Sequence, residues 1–179
     1  MWGLLEKIKN FVIYDADREF YAKVFPDSVG GDYLMRLRKM TNADLPGVLE
    51  IERANYKFPW GEDIFKDCLK ARYSCWVCEN QGKILGFSIL SIGVGEAHIL
   101  NICVAPAEQK KGIGRKMMEN LIEVARGQAE RMFLEVRPSN RVAVALYMDM
   151  GFNEIGIRKD YYPAENGRED AIMLALEIF

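Results

Sequence analysis

A glycine-bearing basic segment, Gln109-Lys110-Lys111-Gly112-Ile113-Gly114, is the part of the sequence best suited to binding an anion. It follows an apolar run, Ile99 to Val104, and precedes a helical pattern that continues to about Arg126. Glycines let a backbone approach a phosphate closely, and the first N–H groups of a helix have no partner inside that helix. The segment therefore predicts a phosphate cradle between a strand and a helix. Its spacing fits neither a dinucleotide fingerprint nor a P-loop.

Two further side chains could take part in proton transfer. Glu135 lies between Leu134 and Val136 in an apolar strand, where a buried carboxylate must be paired or must sit at a pocket edge. An exposed glutamate on the polar face of the strand is an equally open interpretation. Tyr147 falls on a helix with apolar neighbours and, taken alone, is more simply explained as a core aromatic. Asn140 lies in the loop between them, which is a common place for a site.

The hydrophobic pattern predicts strands and helices that position these residues. Thr41 and Asp44 form a capping-box pattern before a first helix, and Ser139 and Asn140 offer caps for the helix that carries Tyr147. A second helix is predicted over Glu62 to Ala71. The predicted strands are Met35 to Met40, Tyr73 to Glu79, Lys83 to Ile92, Ile99 to Val104, Met132 to Val136, Phe152 to Tyr161 and Ala171 to Ile178. A mixed α/β sheet with helices on its faces is the expected architecture.

Length and composition limit the function classes. The 179 residues suit one compact domain, and half of them are hydrophobic, as in ordinary globular proteins. The net charge of -2 argues against direct nucleic-acid binding and leaves room for an acidic groove that accepts a basic substrate. No run is long enough to span a membrane, and no signal-peptide core is present, so we expect a cytoplasmic protein.

The first 34 residues differ from the rest. Apolar residues at helical spacing predict a short amphipathic helix there: Leu4, Leu5, Ile8, Phe11 and Val12. Docking of that helix on its own domain or on a second subunit is favoured over attachment to a membrane surface, because its polar face is only mildly basic. We therefore expect an N-terminal extension over residues 1–34 and a single domain over residues 35–179.

The cysteines do not indicate a metal site. Cys75 and Cys78 form a CxxC pattern, but in a strand positions three apart point to opposite faces. The chain has one histidine and no second cysteine pair of this kind, so zinc is not expected. Buried free thiols in a reducing compartment are the simpler interpretation.

Several motifs together resemble one enzyme family. The Q-x-x-G-x-G pattern of Gln109 to Gly114, with its strand and helix, resembles the signature of the Gcn5-related N-acetyltransferases (GNAT). Four further segments resemble the ribosomal-protein-alanine N-acetyltransferases of the RimI type: Phe58-Pro59-Trp60, Leu134 to Asn140, Ala145 to Glu154 and Tyr161 to Ala171. The resemblance runs from about Met35 to the C-terminus. It implies a GNAT-like mixed, mostly antiparallel central sheet with helices on both faces.

The resemblance implies transfer of an acetyl group from acetyl-CoA to the N-terminal alanine of a small-subunit ribosomal protein. An ammonium is not a nucleophile, and by its place in the motif Glu135 would accept the proton, directly or through a water. Tyr147 would give a proton to the thiolate leaving group. A covalent route through the neighbouring thiol of Cys103 is disfavoured, because direct attack needs no such nucleophile.

The same resemblance assigns residues to the co-substrate acetyl-CoA. The backbone of Ile102, Cys103 and Val104 would hold the pantetheine arm and the thioester carbonyl. Asn140 would contact the cofactor arm. The backbone N–H groups of the loop would bind the pyrophosphate, and the residues concerned are Gln109, Lys110, Lys111, Gly112, Ile113 and Gly114.

The acceptor is less firmly indicated. Four aromatic residues could line a groove over a peptide N-terminus or could close an edge of the core: Phe58, Trp60, Tyr161 and Tyr162. Glu169 and Asp170 could meet a basic peptide or be solvated. An acetyltransferase for lysine side chains or small amines is therefore an alternative, since loops rather than the sheet set the acceptor. A non-catalytic acyl-CoA-binding module is a second alternative, against which the presence of both Glu135 and Tyr147 argues.

Overall fold

The computed structural model describes residues 35–178, and the unit Arg36–Phe179 is compact. The predicted N-terminal helix lies outside the described residues. The strands are β1 (Met35–Lys39), β2 (Ser74–Asn80), β3 (Lys83–Gly93), β4 (Glu96–Val104), β5 (Arg131–Val136), β6 (Asn153–Ala164) and β7 (Gly167–Glu177). The α-helices are α1 (Leu45–Asn55), α2 (Glu62–Lys70), α3 (Ile113–Ala125) and α4 (Arg141–Asp149). No helix in the described range is long and apolar enough to cross a membrane.

The seven strands form one sheet in the order β1-β2-β3-β4-β5-β7-β6. The pairs β2/β3, β3/β4, β5/β7 and β6/β7 are antiparallel, and β4/β5 is parallel. The helices α1 and α2 cover one face of the sheet and α3 and α4 the other, with a separate buried core under each pair. The predicted fold class is confirmed.

A capping box starts the first helical segment, as the sequence predicted. The backbone N–H of Thr41 donates to Asp44 Oδ2 at 2.7 Å, and its hydroxyl donates to the same oxygen at 3.0 Å. Asp44 also accepts two hydrogen bonds from the guanidinium of Arg38 on β1, at 2.8 and 2.7 Å. The helix start is therefore fastened to the first strand.

The last two strands are longer than the sequence predicted. β6 continues to Ala164 and β7 begins at Gly167, so only two residues form the turn. Pro163 lies within this extension, opposite Arg168. Proline lacks an N–H donor and is tolerated in a sheet at an edge strand, which β6 is.

Candidate active site

The site begins with a separation between two neighbouring strands. β4 and β5 are paired only from Glu96↔Arg131 to Ile99↔Leu134, although both strands continue. In the β3/β4 pairing Ile89 lies opposite Asn101 and Leu90 opposite Ile99, so Leu100 is an extra residue, a β-bulge. The strands diverge beyond it, and the edge of β4 from residue 100 to 104 faces an opening in the sheet.

The bulge also changes which face each β4 side chain occupies. Ile99 is buried in the core under α3 and α4, whereas Cys103 is buried in the core under α1 and α2. Without the extra residue, positions 99 and 103 would share a face, because side chains alternate along a strand. The bulge thereby directs Ile102 towards α4 and the opening.

Two cavities meet at the opening. One of about 410 Å³ lies against the α3 loop and is called the loop cavity here. The other, of about 290 Å³, lies between the diverging strands and the segment after α1 and is called the strand cavity. Five residues line both cavities: Tyr56, Ile102, Asn140, Ala143 and Tyr147. Glu135 lines the strand cavity alone, so the two predicted proton-transfer residues face one connected space.

The predicted anion cradle lies at one end of the loop cavity. Gln109, Lys110, Gly112 and Gly114 line it. Gly112 is the N-cap of α3 at φ 81°, a left-handed conformation that favours glycine, and no side chain caps the helix there. The first N–H groups of α3 are thus left for an anion, with the positive end of the helix dipole behind them.

The side chains of three residues in the predicted loop have partners within the protein or are buried: Gln109, Lys111 and Ile113. The side chain of Gln109 donates to Asn55 Oδ1 at 2.8 Å and to the carbonyl of Val104 at 3.2 Å, which fastens the loop to the end of α1. Lys111 pairs with Glu108 at 2.9 Å, and the side chain of Ile113 is buried; neither lines the loop cavity. Any contribution of these two to anion binding rests on their backbone N–H groups.

The rest of the loop cavity is suited to a thin, partly apolar arm. Its walls include Ile102 and Val104 from β4 and Val142 and Leu146 from α4. Unpaired N–H groups at one end and apolar walls along the middle fit a pyrophosphate followed by a pantetheine chain. Asn140 caps α4 by accepting from the N–H of Ala143 at 3.2 Å, which leaves its amide nitrogen available.

Tyr147, at the junction of the two cavities, and Cys103, in the loop cavity, both have pKa values raised by burial. Tyr147 is buried and packs against Phe152, with 6.0 Å between ring centroids. Burial raises the pKa of the Tyr147 phenol above its ordinary value, so this group keeps its proton at neutral pH. Burial likewise raises the pKa of the Cys103 thiol to about 12, which disfavours the thiolate a covalent route would need.

Glu135 lies at the edge of the strand cavity rather than in the core. Its side chain is 21% exposed, and Oε1 lies 3.3 Å from Arg158 Nη1 on β6. The backbone carbonyl of Glu135 accepts a hydrogen bond from the hydroxyl of Tyr162 at 2.9 Å. The predicted position at a pocket edge is what the structure shows.

An irregular stretch of β6 lies between Arg158 and Tyr162, the two β6 residues that contact Glu135. Arg158 pairs with Ala171 and Tyr162 with Glu169, so three β6 residues lie opposite Asp170 alone. Asp170 accepts from the N–H of Asp160 at 3.0 Å and pairs with a lysine at 2.7 Å. The side chain of Arg168 donates to two carbonyls of the same stretch. Arg168 and Asp170 thus maintain the bulge, and Asp170 is engaged within the hairpin.

Glu169, Tyr161 and Tyr162 form an outer rim beside the strand cavity. Arg137 donates to Glu169 Oε2 at 3.0 Å and lies 4.3 Å from the ring centre of Tyr162. The other oxygen of Glu169 accepts from the N–H of Ser139 at 3.0 Å. Phe58 lines the strand cavity together with Trp60. Tyr161 lines neither of the two cavities but stacks edge-on against Tyr162 at 4.8 Å.

Sequence reasoning missed Glu52, Tyr56 and Asn101, which also line the strand cavity. One signal was available for Glu52. It occupies the position seven residues after Leu45 in an apolar helical stripe, where a core residue is expected. Tyr56 and Asn101 carry no comparable signal, because their placement depends on the end of α1 and on the bulge of β4.

No cluster of histidine, cysteine, aspartate and glutamate suited to a metal ion occurs in the part of the chain that the structure describes. All four cysteines are free and buried.

The strand opening and the uncapped helix start suit an acetyl-CoA-dependent N-acetyltransferase, and the comparisons show that the chain is of this class. The chain belongs to the acetyltransferase (GNAT) family, whose model matches residues 35–152. Within it the chain groups with the ribosomal-protein-alanine N-acetyltransferases. The protein of that name from Escherichia coli (strain K12) is 41% identical over 143 residues, 79% of this chain and 97% of that protein.

Other relatives give the same picture. A Haemophilus ducreyi protein of the same name is 34% identical over 142 residues, 78% of this chain and 98% of that protein. The crystal structure of the Escherichia coli enzyme superposes with a TM-score of 0.76 at 39% identity, covering 80% of this chain and 94% of that one. A Salmonella typhimurium acetyltransferase solved with its cofactor acetyl-CoA shares the fold at a TM-score of 0.71 and 21% identity, covering 80% or more of both chains.

Proposed function

We propose that the chain acetylates the N-terminal alanine of a small-subunit ribosomal protein, by direct attack of the α-amine on the thioester of acetyl-CoA. The observation that carries the proposal is the 41% identity to a protein named for acetylating alanine of ribosomal protein bS18. That similarity spans 97% of the relative, so it includes both sides of the strand opening.

Glu135 accepts the proton of the α-ammonium. Its carboxylate lines the strand cavity and is held at the cavity edge by Arg158. An N-terminal amine has a pKa of about 8, well below that of a lysine side chain, so its deprotonation at neutral pH costs little. The amine then attacks the thioester carbonyl, and the proton remains with Glu135 or a water beside it.

Tyr147 gives its proton to the sulfur that leaves. It is the predicted acid–base residue common to both cavities, and burial keeps the phenol protonated. The unpaired edge of β4 at Ile102 to Val104 binds the pantetheine arm, and the loop from Gln109 to Gly114 binds the pyrophosphate through backbone N–H groups. Asn140 contacts the arm between them.

The acceptor peptide follows the rim from the strand cavity towards a third, shallower groove. Arg137 and Asn140 line both, and Glu165 and Glu169 line the groove only. Glu165 and Glu169 are paired with Lys57 and Arg137 within the chain, and the basic side chains of the peptide compete with these cations for the two carboxylates. We place the reaction in the cytoplasm, since free buried thiols suit a reducing compartment.

The test is acetyl-CoA-dependent acetylation of two short basic peptides, followed by mass spectrometry. One has a free N-terminal alanine and no lysine; the other has a blocked N-terminus and one internal lysine. We expect label on the first peptide alone, and a loss of kcat of about 100-fold or more in Glu135→Gln, the range for a general base. Glu154→Gln, an exposed residue on β6 that lines no described cavity, is the matched control.

Label on the lysine peptide alone would replace the proposal with a lysine acetyltransferase. Acetyl-CoA binding without label on either peptide, or on a panel of small amines, would indicate a binding module. Full activity of Glu135→Gln on the first peptide would support the proposed reaction but would show that Glu135 is not its general base.

A further inference from the structure

Glu52 is a buried carboxylate for which the described residues supply no cation. It is 1% exposed, and the only other buried charged residue in the described range, Asp44, is paired with Arg38. Within residues 35–178 Glu52 forms no ion pair; its oxygens accept from the backbone N–H of Trp60 at 2.9 Å and from the amide of Asn101 at 3.3 Å. Burial raises the pKa of Glu52 above its ordinary value, and a buried carboxylate with no cation beside it is costly, so its presence calls for an explanation.

The location of Glu52 supplies one. It lines the strand cavity, the space that the acceptor amine must enter. Trp60, in the segment after α1, and Asn101, next to the β4 bulge, fix the carboxylate from two sides. A carboxylate can accept about four hydrogen bonds, and this one accepts two from residues 35–178, so it retains capacity for the N–H groups of a ligand.

Glu135 is in a different situation. Its carboxylate already lies 3.3 Å from Arg158 and is partly exposed to solvent. The two carboxylates of the strand cavity therefore differ in their neighbours: Glu135 has a cation beside it, and Glu52 has none among the described residues.

We propose that Glu52 binds the ammonium group of the acceptor and holds it in the strand cavity, so that Glu135 has only to remove the proton. The substrate itself is then the counter-ion that residues 35–178 do not supply. This inference rests on the proposed function for its choice of acceptor, and it assigns Glu52 to binding rather than to proton transfer.

The experiment compares two ligands that differ only in the ammonium. One is the basic peptide with an N-terminal alanine; the other carries a propionyl group in place of that alanine and so lacks the amine. Their dissociation constants are measured by calorimetry in the presence of coenzyme A, with which no transfer occurs. In Glu52→Gln we expect the alanyl peptide to bind roughly tenfold or more weakly, the range for loss of a charge-assisted hydrogen bond, and the propionyl peptide to bind within about twofold of wild type.

Glu50→Gln, an exposed residue of the same helix, is the matched control and should leave both constants unchanged. In the kinetic assay Glu52→Gln should raise the KM for the peptide, leave the KM for acetyl-CoA unchanged and change kcat by less than about threefold, in contrast to Glu135→Gln. An equal loss of affinity for both peptides would show a purely structural role and overturn the inference, as would no loss for either.

Failure of the proposed function is recognised separately. If the wild-type protein acetylates only the lysine peptide, the same comparison is made between that peptide and its norleucine counterpart. If Glu52→Gln weakens binding of the lysine peptide but not of the norleucine peptide, the role of Glu52 is supported with a different acceptor.

Discussion

Replacement of Tyr147 by phenylalanine removes one hydroxyl group from the junction of the two cavities. The ring can keep its place against Phe152, because the substitution conserves its shape. Among the described residues the hydroxyl of Tyr147 forms no hydrogen bond, so its removal leaves no buried partner unpaired there. We therefore expect the free energy of unfolding to change by less than about 1 kcal/mol.

The effect on turnover should be much larger. A positioned general acid contributes about 10² to 10⁴ in rate, so kcat of Tyr147→Phe should fall about 100-fold or more, which corresponds to about 3 kcal/mol of activation free energy. Binding of both substrates should be little affected, since the hydroxyl acts only as charge develops on the sulfur. The fall should therefore appear in kcat rather than in either KM.

The pH dependence gives a second readout. Burial disfavours the phenolate and raises the pKa of Tyr147, so the proton is lost only above the ordinary value of about 10. Wild-type kcat should accordingly show no alkaline decline from this group between about pH 7 and pH 9.

The assay follows release of the coenzyme A thiol together with the mass of the peptide product. Tyr73→Phe, an exposed tyrosine that lines none of the described cavities, is the matched control and should retain full activity. If Tyr147→Phe keeps kcat within about threefold of wild type while its melting temperature is unchanged, the assignment of Tyr147 as the acid is wrong.

Two other perturbations test the framework of the site. Arg38 lowers the pKa of Asp44 from 3.8 to about 2, which corresponds to about 2 kcal/mol, so Asp44→Asn should lose about that much stability at pH 7. A carboxylate whose pKa is lower in the folded protein than in the unfolded chain stabilises the fold at pH values above its unfolded pKa. The difference in unfolding free energy between wild type and Asp44→Asn, measured with urea, should therefore be constant above about pH 4 and vanish towards pH 2. A difference that does not change with pH would contradict this. Gly112→Ala and Gly82→Ala place alanine at φ 81° and 82°, where a Cβ meets no atom within 4 Å, so each should cost roughly 1–2 kcal/mol of backbone strain. Only Gly112→Ala should also raise the KM for acetyl-CoA. An equal rise in Gly82→Ala would contradict a specific role of the α3 loop in anion binding.

Local chemistry explains how much of the fold could be predicted. The capping box at Thr41, the Gln81-Gly82 hairpin turn and the cap at Asn140 are set by neighbouring residues, and each element was predicted to within a few positions. The end of β6 was predicted three residues early, at Tyr161. The strand passes through an irregular stretch held by Arg168, and such long-range support is not visible in local periodicity.

The candidate site divides in the same way. Glu135 and Tyr147 were identified through motifs, and the structure brings them to connected cavities. Their catalytic roles, the cofactor contacts and the division of the chain at residue 35 remain predictions. Glu52 was passed over, since a glutamate in a helix is ordinarily solvated, and nothing near it in sequence shows that Asn101 will lie 3.3 Å away.

The sequence alone determined the class of elements, their order, the anion-binding loop and the family, because each depends on residues close together in the chain. The tertiary structure decided what those elements enclose. One extra residue at Leu100 separates β4 from β5, places Ile99 and Cys103 on opposite faces of the sheet, and opens the cavities that Glu52, Glu135 and Tyr147 line. Strand register and the pairing of buried charges are set by contacts between residues distant in sequence, and only the folded chain brings those residues together.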